Sequence, residues 1–138
     1  MQLKEVYYHF GDASVPPPDH RSYTLQVKKD AIDVTIDSYG EILAQHHFDA
    51  SSRVLEVLSK ALQQSNIDYT EEQAQDEGCT GGTTATIGYT TKQGRVFRAS
   101  NYYCGGKIIG NLAGDVTGFV QQLKQLVPNL QALIRDSL

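Results

Sequence analysis

Apolar and polar residues alternate along much of this chain, and the alternation predicts strands. Val6, Tyr8 and Phe10 alternate with Tyr7 and His9, which reads as a first strand. Tyr23, Leu25 and Val27 repeat the pattern, as do Ile32, Val34 and Ile36. A two-residue turn at Lys29-Asp30 sets Val27 opposite Ile32 and Leu25 opposite Val34, so all six share one face. Ser38-Tyr39-Gly40 reads as a three-residue turn with Gly last. It leads into a fourth strand, Glu41 to Phe48, with Ile42, Ala44, His46 and Phe48 on the core side. Gly11 to Ser22 reads as a loop stiffened by Pro16-Pro17-Pro18.

The period then changes. Asp49-Ala50-Ser51-Ser52 supplies helix-capping residues, and Val54, Leu55, Leu58 and Leu62 form one stripe of a helix reaching about Ser65. Ile67 to Gly78 is acidic and weakly patterned, the signature of an exposed loop whose partner, if it has one, is basic. Near the C-terminus Asp115 is placed to cap a helix with Val116, Phe119, Val120, Leu123 and Leu126 on its apolar side. Pro128 either kinks that helix or starts a new one, and Leu130, Leu133, Ile134 and Leu138 continue the stripe.

Between the helical regions lies the most distinctive stretch, Cys79 to Gly106, which reads as one β-hairpin. Its turn is Lys92-Gln93-Gly94, a three-residue loop with Gly at the left-handed position. That loop sets Tyr89 opposite Phe97, Ile87 opposite Ala99 and Ala85 opposite Asn101, giving a largely apolar face. The other face carries Thr84, Thr86, Thr90, Arg98, Ser100 and Tyr102. It is either a solvated sheet face of good strand formers or a recognition surface with Arg98 aimed at an acidic group.

These elements predict a single α+β domain over residues 1–138. An antiparallel sheet, built from a four-strand meander and a later hairpin, carries one helix after strand 4 and a kinked C-terminal helical region on its apolar face. The net charge of −4 argues against a general affinity for nucleic acid or an acidic membrane surface. No apolar run approaches the roughly 18 residues of a transmembrane helix. MQLKEVYYHF lacks a signal peptide's apolar core, so the sequence as it stands reads as a soluble cytoplasmic protein. A Met put in place of a removed signal peptide would instead hide a periplasmic or lipid-anchored origin.

Cys79 and Cys104 are the two cysteines, and Cys104 falls opposite Gly82 in this register. A bend at Gly81-Gly82 would allow a disulfide; a straight strand would point the two sulfurs apart. They make a poor zinc site, because no His, Asp or Glu lies within four residues of Cys104. Cys-Thr-Gly-Gly-Thr-Thr lacks the Lys-Ser/Thr of a P-loop, and a strand follows it. The second Gly-rich run, Gly105 to Asn111, suggests tight bends or an anion-binding nest that includes Lys107. Asp33, Thr35 and Asp37 share a strand face, where the carboxylates read as solvated. His46 and His47 diverge and cannot serve one site.

No cofactor or metal is expected from these patterns. The function expected is a non-catalytic binding protein that uses the polar sheet face, with Thr84, Thr86, Arg98, Ser100, Tyr102 and Lys107 as binding residues and an unspecified protein or small ligand as partner. The alternatives are a thiol-dependent enzyme or redox protein using Cys79 or Cys104, and a structural subunit pairing with another copy of itself. The balance of motifs is against an enzyme without settling the matter.

Overall fold

The computed structural model describes residues 1–71 and 80–137. Four strands, β1 (Leu3–Gly11), β2 (Ser22–Lys28), β3 (Ala31–Ser38) and β4 (Glu41–Asp49), form the meander. Helix α1 (Val54–Gln64) and a short strand β5 (Asp68–Tyr69) follow. The hairpin is β6 (Thr83–Thr91) and β7 (Val96–Cys104), continued by β8 (Lys107–Gly110) and the two-residue β9 (Leu112–Ala113). Helices α2 (Val116–Gln125) and α3 (Leu130–Arg135) end the chain.

Seven strands make one antiparallel sheet in the order β4-β3-β2-β1-β6-β7-β8, and β5 pairs with β9 in a second, small sheet. The decisive non-local pairing is β1 with β6, which joins the meander to the hairpin and puts β1 at the centre. The expected registers hold in both hairpins: Val27 opposite Ile32, Leu25 opposite Val34, Tyr89 opposite Phe97, Ile87 opposite Ala99 and Ala85 opposite Asn101. Gly94 takes φ +91°, as the bulged turn requires.

One face of the sheet buries Val6, Tyr8, Leu25, Val34, Ile87 and Phe97 against Leu58 and Leu62 of α1 and Phe119 and Leu123 of α2. Helix α1 packs on β1 and β2 and meets α2. Asp115 caps α2, its carboxylate accepting from Gly118 N at 3.0 Å. Pro128 separates two helices, with Asn129 left-handed (φ 57°) before α3. No helix among the described residues is long and apolar enough to cross a membrane.

Three expectations need correction. First, the turn into β4 has two residues, Tyr39-Gly40, because Ser38 pairs with Glu41. Tyr39 accepts a positive φ of 50° because tertiary contacts hold it. Its ring stacks on His20 with centroids 3.7 Å apart, and its hydroxyl donates to Val15 O at 2.6 Å. A bulge between Ile36 and Asp37 then sets Ile36 opposite Ala44. Ala44 and Phe48 therefore pack on the core, while Ile42, opposite Asp37, is 58% exposed. Second, Ile67 to Gly78 is not wholly a loop, since Ile67 is buried and Asp68–Tyr69 form β5. The rest of that acidic stretch, from residue 72, lies outside the described residues, as does Cys79. Third, the sheet does not end with the expected hairpin: Gly105-Gly106, both at positive φ, make the tight bend that the Gly-rich run suggested, and the chain then adds β8 as a seventh strand at the sheet edge.

Candidate functional site

The open face of the sheet is built by cross-strand registers that run through β1. One rung crosses six strands as Gln45, Thr35, Thr24, His9, Thr86 and Ser100. Hydrogen bonds run along it: His9 Nδ1 lies 2.8 Å from Thr24 Oγ1, and Thr86 Oγ1 lies 2.7 Å from Ser100 Oγ. The next rung is His47, Asp33, Gln26, Tyr7, Gly88 and Arg98. Here His47 Nδ1 lies 2.7 Å from Asp33 Oδ1. The ring of Tyr7 covers Gly88, filling the space a side chain there would need. On the other side of the first rung, Gly11 pairs with Thr84, and Thr84 with Tyr102.

The structure therefore brings five of the six expected residues together as neighbours on one face: Thr84 beside Tyr102, Thr86 beside Ser100, and Arg98 on the adjoining rung. Lys107 stands apart, at the tip of the β7–β8 hairpin opposite Cys104. The groups differ in what they still offer. The Thr86 hydroxyl is buried and bonded to Ser100. The Tyr102 hydroxyl accepts from Gly82 N at 2.8 Å. The Arg98 guanidinium is exposed and makes no hydrogen bond or ion pair with the described residues, so it is the strongest free donor on this face.

Arg98 is fixed through its backbone. Its N–H donates to the Tyr69 hydroxyl at 3.0 Å, and the Tyr69 ring lies on Phe97 with centroids 4.4 Å apart. Strand β8 pairs with β7 from Asn101 to Cys104. Beyond it, side chains help complete the edge of β7: Ser100 N donates to Asn111 Oδ1 at 3.0 Å while its carbonyl accepts from Asn111 N at 3.0 Å, and Arg98 N donates to the Tyr69 hydroxyl. The small sheet thus closes an edge and holds the strand that carries Arg98.

His9 is the residue the sequence reading left out of the site. Alternation already placed it beside Tyr7 on the polar face, but its neighbours come from the non-local β1–β6 pairing. Burial pushes its imidazole pKa down, the negative charge of Asp37 acts the other way, and Arg98 pushes it down further. His9 is thus coupled electrostatically to a cation from β7 and an anion from β3. Asp37 itself accepts from Gly40 N at 3.0 Å and shapes the β3–β4 turn.

Other candidates fall away from this face. His46 stacks against Phe48 at a centroid distance of 6.4 Å, beside a shallow cleft with α3. Among the described residues no group of three or more His, Cys, Asp or Glu is placed to hold a metal. The candidate disulfide involves Cys79 and lies outside the described residues; its other half, Cys104, is nearly buried, with Sγ 3.4 Å from Thr80 O. Gly105 and Gly106 serve the β7–β8 turn. Comparison with protein-family models, curated proteins and solved structures finds no match.

Proposed function

We propose that this chain is a non-catalytic binding protein that takes its partner on the open sheet face, with an acidic group of the partner seated on Arg98. The observation that carries this reading is the state of Arg98: an exposed guanidinium, unpaired among the described residues, on a strand whose backbone is pinned by Tyr69. Pinning the backbone keeps the strand in place when the guanidinium takes up a carboxylate or phosphate, and its fork geometry favours bidentate contact. Ser100 supplies a hydroxyl on the adjoining rung and Thr84 another one rung beyond it, and Tyr7 and Tyr102 supply half-buried aromatic surface.

The test is selection of binders from a random-peptide display library, followed by mapping on ¹⁵N-labelled protein. The expected peptides carry acidic residues and shift the amides of Thr84, Arg98, Ser100 and Tyr102. Arg98→Ala should weaken them by about tenfold or more, the loss typical of a charge-assisted hydrogen bond. Binders that shift amides elsewhere, or that bind Arg98→Ala equally well, would overturn the reading.

A further inference from the structure

At the end of the sheet away from the Gly-rich turn lies a cavity of about 690 Å³, within the size range of small-molecule sites. Four lysines line it, each from a different part of the fold. Lys4 comes from the irregular start of β1, Lys29 from the β2–β3 turn, Lys60 from α1, and Lys92 from the β6–β7 turn. The chain has seven lysines and a net charge of −4, so collecting four of them here opposes the overall balance.

One carboxylate, Glu56, lines the same cavity. Arg53 already engages it, with Nε 3.2 Å from Glu56 Oε2, and is not part of the lining; the charge of Lys60 also acts on this carboxylate. Among the described residues none of the four lysines makes an ion pair within 4.0 Å. Like charges gathered on one concave wall raise the local potential and attract counter-ions. The wall is tied in place by hydrogen bonds to the N-terminal backbone: Ser59 Oγ donates to Met1 O at 2.8 Å, and Lys92 N to Gln2 O at 2.9 Å. Leu3 and Leu55 add apolar surface to the same lining.

We propose that this cavity binds a small, multiply charged oxyanion, an organic polyphosphate or polycarboxylate with a compact apolar part. Four lysines from separate elements around one cavity suit several anionic groups on one molecule. Lysine meets each as a point charge, which fits phosphate and carboxylate oxygens without demanding one planar geometry. An extended nucleic acid fits worse, because the rest of the surface carries the chain's excess of acidic residues. This site is independent of the Arg98 face, and either can fail without the other.

The experiment is an amide-shift titration and calorimetry with inorganic tripolyphosphate at physiological salt, run beside citrate and a short DNA duplex. The expected result is saturable one-to-one binding of tripolyphosphate or citrate, with shifts at Lys29, Lys60 and Lys92. A Lys29→Gln, Lys92→Gln double variant should lose about tenfold or more in affinity, as expected when two unit charges leave the wall. Both substitutions lie in exposed turns, and thermal melts confirm that the variant folds. Lys124→Gln, the same loss of charge elsewhere, should change affinity by no more than about twofold. No saturation, equal losses in both variants, shifts confined to other surfaces, or tighter binding of the duplex than of either small anion would overturn the proposal.

Discussion

Asn101 is a polar residue on the core face of β7, and replacing it should loosen the edge that carries Arg98. It is 5% exposed, and its side-chain amide grips the backbone of Leu112, itself 4% exposed. Asn101 Nδ2 donates to Leu112 O at 2.8 Å, and Leu112 N donates to Asn101 Oδ1 at 3.1 Å. The geometry of β9 explains why these groups need a side-chain partner. Thr70 N donates to Asn111 O at 2.9 Å, so the next pair, Tyr69 and Leu112, is a non-hydrogen-bonded pair of the ladder. The backbone groups of Leu112 then point away from β5 and toward β7.

Asn101→Ala leaves one buried N–H and one buried C=O without partners, each costing about 1–3 kcal/mol. Water entering the vacated space recovers part of that, so the expected loss is about 2–4 kcal/mol. For 138 residues the unfolding entropy is about 0.29 kcal/mol/K, so the melting temperature should fall by about 7–14 °C. Thermal melts read the global effect, and hydrogen exchange at the Leu112 and Arg98 amides reads the local one.

Asn101→Asp refines the test. The carboxylate keeps the acceptor for Leu112 N but sets its second oxygen against the Leu112 carbonyl, which raises its folded pKa above the unfolded value near 3.9. A carboxyl with a raised folded pKa loses stability as pH rises through the unfolded value. The gap between wild type and Asn101→Asp should therefore narrow as pH falls toward about 4. A melting temperature for Asn101→Ala within about 2 °C of wild type, with unchanged exchange at Leu112, would refute this account of the edge.

Other consequences follow from the same contacts. Because burial holds the His9 pKa below its ordinary value, the native state takes up fewer protons than the unfolded chain as pH falls through about 6.5. Stability should drop across that window and level off below the folded pKa. Urea midpoints at several pH values should show this drop in wild type and not in His9→Gln, while the His9 imidazole titrates below about 6.5 by NMR. A methyl group at residue 88 would fall on the Tyr7 ring, so Gly88→Ala should cost about 1–3 kcal/mol, and Tyr7→Ala in the same chain should relieve most of it. Cys104 Sγ sits beside the carbonyl of Thr80, the residue that follows Cys79 in sequence. Intact mass after iodoacetamide treatment in denaturant, with and without prior reduction, decides the state of the two cysteines: two additions only after reduction mean a Cys79–Cys104 bridge, and two additions without reduction mean two thiols.

The sequence by itself determined the six long strands, two of the three expected hairpin registers and the separation of apolar from polar faces. These depend on local physics: period-two alternation, the φ demands of turn residues, and capping by Asp115. It also placed Thr84, Thr86, Arg98, Ser100 and Tyr102 on one face, since their spacing on a known hairpin fixes it. Tertiary structure decided the rest. The β3–β4 turn followed Tyr39's contacts with His20 and Val15, which come from a distant loop, and the register bulged to suit. β5 and β9, two residues each, have too little pattern to be read alone and are held where the side chains of Asn101, Asn111 and Tyr69 satisfy the backbones of Leu112, Ser100 and Arg98. His9 joined the face, and four lysines met at one cavity, through strand pairings and turns far apart in the chain. Alternation tells each strand which side is inward, but which strand lies beside which depends on contacts that no local window contains.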